Sequence, residues 1–121
     1  MRSVIQGGTV TLQSSRDSRG EKFLRACRIN DKNKAIKILD QLYEENTNVV
    51  HYHGAFHVCG PHIASRYNST AALDWLLNHN ADFTSLTHPK KQNCAHIAAE
   101  LGNVDALAWL IEHGMYYSLL P

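Results

Sequence analysis

The apolar positions of this chain follow a pattern that recurs at a fixed interval along the sequence. One stripe of apolar residues at helical spacing and its later copy are Ala72, Leu73, Leu76 and Leu77, then Ala106, Leu107, Leu110 and Ile111. Trp75 and Trp109 keep the same offset, as do the motifs His62-Ile63-Ala64 and His96-Ile97-Ala98. A stripe at helical period faces another layer, so the pattern predicts repeated helices that pack on one another.

Each unit of this repeat is predicted to form two short helices joined by a tight turn. In the middle unit the first helix covers residues 62–67 and the second covers residues 69–79, and the next unit repeats both. Gly, and to a lesser degree Asn, tolerates the left-handed backbone that such turns and helix C-caps require. The residues predicted at these positions are Asn68 and Gly102 between the helices, and Asn80 and Gly114 after them.

The motifs in these units resemble the ankyrin repeat. Residues 93–99, Asn-Cys-Ala-His-Ile-Ala-Ala, followed by Gly102, are similar to that family's Thr-Pro-Leu-His-x-Ala-Ala-x-x-Gly. Leu110-Ile111 with Gly114 match its Leu-Leu-x-x-Gly, and residues 59–65 resemble the same consensus. A degenerate first unit can be placed at residues 24–27, Leu-Arg-Ala-Cys.

The resemblance implies an all-α, ankyrin-type solenoid of three helix-turn-helix repeats joined by short hairpin-like loops. About three repeats are the practical minimum, because each buries its apolar face only against a neighbour. The expected divisions are a flexible N-terminal segment at 1–20 and a repeat domain at 21–121, with units of about 21–52, 53–86 and 87–121.

The starts of the first helices depart from the family pattern. Cys59 and Asn93 stand where the family has a capping Thr. Asn is a good N-cap, whereas Cys is a poor one. We therefore expect the start of the middle repeat to be a weak point.

The same resemblance implies a protein-protein interaction module, such as an adaptor, a scaffold or a small inhibitor, and not an enzyme. Ankyrin-like proteins bind partners through a concave face made of the first helices and of the loops, or fingers, between units. The residues at those positions, predicted to contact a partner, are Arg28, Ile29, Tyr52, His53, Phe56, Arg66, Tyr67, Leu86, His88, Lys90, Lys91, Glu100 and Leu101. Several are apolar or aromatic where a solvated surface requires neither.

The two tryptophans allow two interpretations. Exposed aromatic side chains can anchor an interface with a partner. Identical positions one repeat apart can also stack along the solenoid and bury each other. We favour the second interpretation for Trp75 and Trp109, and predict that both belong to the core.

Composition and charge argue against other classes of partner. Hydrophobic residues make up 44% of the chain and charged residues 19%, as in folded globular proteins. Twelve basic and eleven acidic side chains leave a net charge of +1, which gives no broad field for nucleic acid or anionic lipid. No apolar run approaches membrane-spanning length. We therefore expect a protein partner, with no nucleic acid and no membrane.

The cysteines indicate a reducing compartment. Cys27, Cys59 and Cys94 are odd in number and widely spaced, with no Cys-x-x-Cys pair. Residues 1–20 contain no secretory apolar segment. We predict an intracellular protein, cytoplasmic or nuclear, in which Cys27 acts as a small buried hydrophobe.

One cluster has the residue types of a zinc site, and its members are His51, His53, His57, Cys59 and His62. Its spacing is not that of a known finger, and His62 and His96 resemble the family histidine whose ring hydrogen-bonds loop backbone. Cys59 and Cys94 begin helices, where the dipole could lower a thiol pKa. Because no phosphate loop or paired-carboxylate motif accompanies them, we predict no metal and no cofactor. A zinc- or thiol-dependent enzyme stays the weaker alternative.

The last residues of the chain are unusually apolar. A solenoid normally closes with a polar-faced repeat, but here the residues after Gly114 include Met115, Tyr116, Tyr117, Leu119 and Leu120. This segment is predicted to fold back as a cap or to pair two copies as a homo-dimer. Self-assembly through the C-terminal repeat is thus a second alternative.

Overall fold

Six α-helices form three consecutive pairs. The computed structural model describes the backbone of residues 11–115 and the side chains of residues 19–115. The helices are α1 (Thr11–Ala26), α2 (Lys32–Glu45), α3 (Gly60–Arg66), α4 (Thr70–Asn78), α5 (Cys94–Leu101) and α6 (Val104–Glu112), with short 3-10 turns at Thr47–His51 and Ala55–His57. Within residues 11–115 there is no β-strand. None of the helices in that range is both long and apolar enough to cross a membrane.

The helices lie in two layers. The first helices of the pairs, α1, α3 and α5, contact one another in one layer, and α2, α4 and α6 do so in the other. Fully buried Phe23, Leu39, Leu73, Leu76 and Leu110 form the centre of the shared core. This arrangement confirms the predicted all-α repeat solenoid, and the loops that join its pairs are built from turns.

The repeat interval of the sequence is also the interval of the structure. Helices α3 and α5 begin at Gly60 and Cys94, and α4 and α6 begin at Thr70 and Val104, so both sets keep the offset found in the sequence. The four residues predicted to take left-handed backbone do so, with φ between 60° and 75°, and they are Asn68, Asn80, Gly102 and Gly114. These local predictions are confirmed.

The first helix extends to the N-terminal side of residue 21. Helix α1 starts at Thr11, so residues 11–20 of the expected lead-in are helical. Gly has low helix propensity, so a glycine inside a helix usually has a packing reason. In the structure Gly20 is buried, and a Cβ at this position would overlap the ring of Tyr52. The glycine allows a close approach of the helix to the loop that follows α2.

The starts of α3 and α5 are held by hydrogen bonds between the N-cap residue and the histidine three positions later. At α5, the Oδ1 of Asn93 accepts the N–H of His96 at 2.8 Å. At α3, the Nδ1 of His62 accepts the N–H of Cys59 at 3.1 Å. A thiol is a weaker acceptor than an amide oxygen, so the expected weakness at Cys59 stays a prediction.

Both tryptophans belong to the core, as predicted, with 4% of Trp75 and 6% of Trp109 exposed. The prediction that they stack on each other is wrong. Each indole stacks on the histidine four residues later, with ring centres 3.8 Å apart for Trp75 and 3.9 Å apart for Trp109. Packed helices are about 8–10 Å apart, too far for equivalent rings to stack face to face. Each indole N–H instead donates to a carboxylate one repeat earlier, Asp40 at 2.8 Å and Asp74 at 2.6 Å.

Candidate binding groove

A groove of about 630 Å³ lies on the face made by the first helices and two loops. We call residues 46–59, between α2 and α3, finger 1, and residues 79–93, between α4 and α5, finger 2. Helices α1, α3 and α5 and both fingers contribute lining residues. This is the face on which the sequence placed partner binding.

The floor of the groove, meaning its buried and half-buried apolar lining residues, is formed by Leu24, Val58, Ile63 and Ile97. These four were missed by sequence reasoning. Ile63 and Ile97 occupy the variable position of the two His-x-Ala motifs. The repeat consensus does not fix the residue type at this position. An apolar residue there in both repeats was therefore the signal from which the floor could have been predicted.

The rim of the groove consists of exposed residues, and five of the predicted contact residues belong to it: Phe56, Arg66, Tyr67, His88 and Lys90. Arg28 lies beside the rim, with its guanidinium 4.5 Å from the centre of the Tyr67 ring. This distance allows a cation–π interaction. It joins the first repeat to the second on the groove side.

Three further predicted residues lie close to the groove without lining it. Lys91 is exposed next to Lys90, and Leu86 is exposed on finger 2. Glu100 accepts a hydrogen bond at 2.9 Å from the side-chain amide of Gln92, which is itself a lining residue. These residues extend the surface that a partner can reach.

The remaining four predicted residues lie elsewhere. The hydroxyl of Tyr52 donates to Glu21 at 2.8 Å, and the carbonyl of Ile29 accepts the hydroxyl of Ser69 at 2.6 Å. His53 Nε2 lies 3.3 Å from Ser85 Oγ, and Leu101 is half exposed on the last repeat. For Tyr52, Ile29 and His53 the structure shows contacts within the chain that account for their positions.

The two fingers are joined at the groove. The N–H of His88 in finger 2 donates to the carbonyl of Phe56 in finger 1 at 2.8 Å. Phe56 and His57 both have left-handed backbone, with φ of 59° and 60°. This conformation is uncommon for non-glycine residues and costs about 1–2 kcal/mol per residue. Finger 1 thereby holds the Phe56 ring outward, with 72% of the residue exposed.

His62 connects helix α3 to finger 2. Its side chain is 1% exposed, and its Nε2 donates to the carbonyl of Ser85 at 2.9 Å while its Nδ1 accepts from Cys59. This is the role that the resemblance implied for the motif histidine. Burial lowers the pKa of His62, because an imidazolium loses hydration there. The neutral form also fits the hydrogen bonds, since Nδ1 must accept.

The histidine-rich cluster does not form a metal site in the structure. Among the residues described, no group of three or more His, Cys, Asp or Glu side chains is placed to hold an ion. Both ring nitrogens of His62 are engaged with backbone. His53 and His57 stack on each other with ring centres 4.0 Å apart. Within the cluster, His57 also contacts the ring of His88 in finger 2 at 4.9 Å between ring centres, so these side chains link the two fingers.

The three cysteine thiols are free and buried. Burial raises the pKa of Cys59 to about 11 and that of Cys94 to about 12, and it raises the pKa of Cys27 as well. The pKa of Cys59 and of Cys94 is raised and not lowered, because loss of hydration outweighs the hydrogen bonds that favour the thiolate. Thiols without thiolate character are poor nucleophiles.

Comparison with known protein families agrees with this architecture. Residues 23–119 match the family model for ankyrin repeats in three copies. The chain belongs to the ankyrin repeat family. The match includes the degenerate first unit, so all three helix pairs are ankyrin repeats. Ankyrin repeats are generally protein-protein interaction modules. Comparison with curated proteins gives no match.

Because the pKa of His62 is lowered in the folded state, protons bind more readily to the unfolded chain. The contribution of His62 to the free energy of unfolding is therefore full above its ordinary pKa of about 6.5 and is lost as pH falls through the lowered value. We expect stability to decrease as pH falls below about 6.5, and to decrease less in His62→Gln. Urea unfolding at several pH values measures this slope. Equal slopes in wild type and His62→Gln, with His51→Gln as the exposed control, would contradict the assignment.

Proposed function

We propose that this ankyrin repeat protein acts by holding a segment of a partner protein in the groove between its two fingers. The observation that carries the proposal is the exposed Phe56, held outward on left-handed backbone at the rim of an apolar floor. Backbone strain that the surrounding structure sustains is typical of binding sites. A solvated surface has no need of it.

The rest of the rim supports the same function. Tyr67 is 38% exposed, and Arg66 stands beside it at the end of α3. Tyr and Arg are the residue types that most often contribute binding energy at protein interfaces, and apolar pockets below them accept side chains of the partner. A module of this kind serves as an adaptor, a scaffold or a small inhibitor, and we propose that it works inside the cell.

The groove can be tested with the triple variant Phe56→Ala, Arg66→Ala and Tyr67→Ala. These side chains are exposed, so their loss should leave the fold intact. In affinity capture from a lysate of cells that contain the protein, we expect a partner bound by wild type to be lost by the variant. Hydrogen exchange of the complex should then show protection in fingers 1 and 2.

The matched control changes three exposed residues of the opposite layer, Gln41→Ala, Glu44→Ala and Asn78→Ala. Tyr52 is kept in every variant, because its hydroxyl is bonded to Glu21 and its ring packs on Gly20. Capture that persists in the groove variant and fails in the control would place binding on the second helices and refute the groove proposal.

Self-assembly through the C-terminal repeat is a second candidate, and one observation favours it. Val104 is 71%, Leu101 50% and Ile111 48% exposed. Leu77, the counterpart of Ile111 in the middle repeat, is half-buried. Apolar side chains that a further repeat would cover are thus open at this end. The apolar residues 116–121 that the sequence assigned to capping or dimerisation lie outside the described part of the chain.

The self-assembly candidate predicts a molecular mass that rises with protein concentration. Light scattering should show this rise in wild type and its loss in Val104→Glu with Ile111→Glu, because buried carboxylates oppose an apolar interface. The control, Gln41→Glu with Asn78→Glu, makes the same charge change at exposed positions of α2 and α4. A wild-type mass that stays at one copy over the whole concentration range would exclude this candidate.

A further inference from the structure

Charged side chains are divided unevenly between the two layers of the molecule. The groove rim carries Arg66 and Lys90, and Arg28 and Lys91 adjoin it, all four exposed. In the opposite layer, the three lysines of α2 are matched by its three acidic residues, and α4 and α6 contain no Lys or Arg, their charged residues being Asp74, Asp105 and Glu112. The net charge of +1 conceals this separation. The groove side is locally basic.

Glu21, which lines the groove, and Glu100, which lies near it, form no ion pair with these cations. Glu21 accepts the hydroxyl of Tyr52, and Glu100 accepts the amide of Gln92. Among the residues whose side chains are described, the ion pair is Arg19 with Glu45, at 3.8 Å and outside the groove. Arg66 and Lys90 therefore form no ion pair with a carboxylate in that part of the chain. Their charges are directed to solvent and to whatever occupies the groove.

We infer that the groove binds an acidic segment of its partner, with an apolar side chain on the floor and Asp or Glu carboxylates beside Arg66 and Lys90. This inference rests on the proposed function and specifies the chemistry of the partner. An Arg guanidinium holds a carboxylate through two parallel hydrogen bonds, and a Lys ammonium adds a point charge. The apolar floor is matched by an apolar side chain, which such a segment carries and a bare polyanion lacks.

Nucleic acid is the other common polyanion, and the groove suits it less well. Binding to a phosphate backbone depends on many cations, each of which adds to the salt dependence of affinity. Here two cations line the groove, and the carboxylate of Glu21 lines it as well. The combination of few positive charges and a floor of Leu24, Ile63 and Ile97 favours a peptide.

The experiment selects binders from a phage library of random peptides of about twelve residues, which span about 40 Å when extended. Targets are wild type, the variant Arg66→Glu with Lys90→Glu, and the control Lys32→Glu with Lys34→Glu. The control changes the charge equally at exposed positions of α2. Circular dichroism and thermal unfolding confirm that all three proteins are folded.

We expect wild type and control to enrich peptides that combine several Asp or Glu with a Leu, Phe or Trp. The groove variant should reject these peptides and enrich basic ones. A fluorescein-labelled peptide chosen on wild type should bind the groove variant about tenfold more weakly or worse, a change of about 1.4 kcal/mol.

Three results would overturn the inference. Enrichment of neutral or basic apolar peptides, with binding lost in Phe56→Ala, would leave the groove as a binding site but refute the acidic partner. Stronger binding of fluorescein-labelled oligouridine than of any selected peptide, lost in the groove variant, would assign the cations to RNA. Failure to enrich any peptide that depends on Phe56 or Arg66 would count against both the inference and the proposed function.

Discussion

The stack of repeats depends on hydrogen bonds that the starts of α4 and α6 make with the preceding repeat. The side chain of Asn103, which begins α6, donates to the carbonyls of Ser65 and Arg66 at 2.9 and 2.7 Å. The hydroxyl of Ser69, which begins α4, donates to the carbonyl of Ile29 at 2.6 Å. The last carbonyls of a helix, such as those of Ser65 and Arg66 in α3, have no partner within it, and Ile29 lies three residues after the end of α1. Each repeat therefore supplies hydrogen-bond donors to carbonyls of the repeat before it. The three helix pairs share one core, because no pair buries its apolar face alone.

The groove follows from this stacking. Once the helix pairs are aligned, His62 can bridge the start of α3 and finger 2 through Cys59 and Ser85, and the N–H of His88 can reach Phe56 on finger 1. Buried imidazole and shared core thus set the positions of two loops that carry exposed aromatic and basic side chains. Rigid elements that position loops are the usual way in which repeat proteins build a binding surface.

Local rules predicted much of this fold, and long-range contacts account for what they missed. The helix period, the caps and the left-handed positions at Asn68 and Gly102 follow from residues close together in sequence. The close contact between the helical Gly20 and Tyr52, which lies beyond α2 in the sequence, is one that no local rule indicates. The carboxylate partners of the tryptophans come from the neighbouring repeat. No composition rule places Phe56 in left-handed backbone.

The candidate site divides in the same way. Family position predicted five rim residues, including Phe56, but the apolar floor needed the packing of three helices against each other. The raised pKa of Cys59 could not be predicted, because sequence shows that Cys59 begins a helix and does not show its burial. Charge separation was likewise hidden in a net charge near zero, since it appears only when helices are assigned to layers.

Residue-specific amide hydrogen exchange of the free protein, followed by NMR, tests most directly whether the fingers form one surface. The account predicts that the N–H of His88 is protected, because it donates to the carbonyl of Phe56 across the two fingers. Exchange of that amide at the rate of the unfolded chain would show that the fingers separate in solution. The groove would then not exist in the free protein, which would contradict the account.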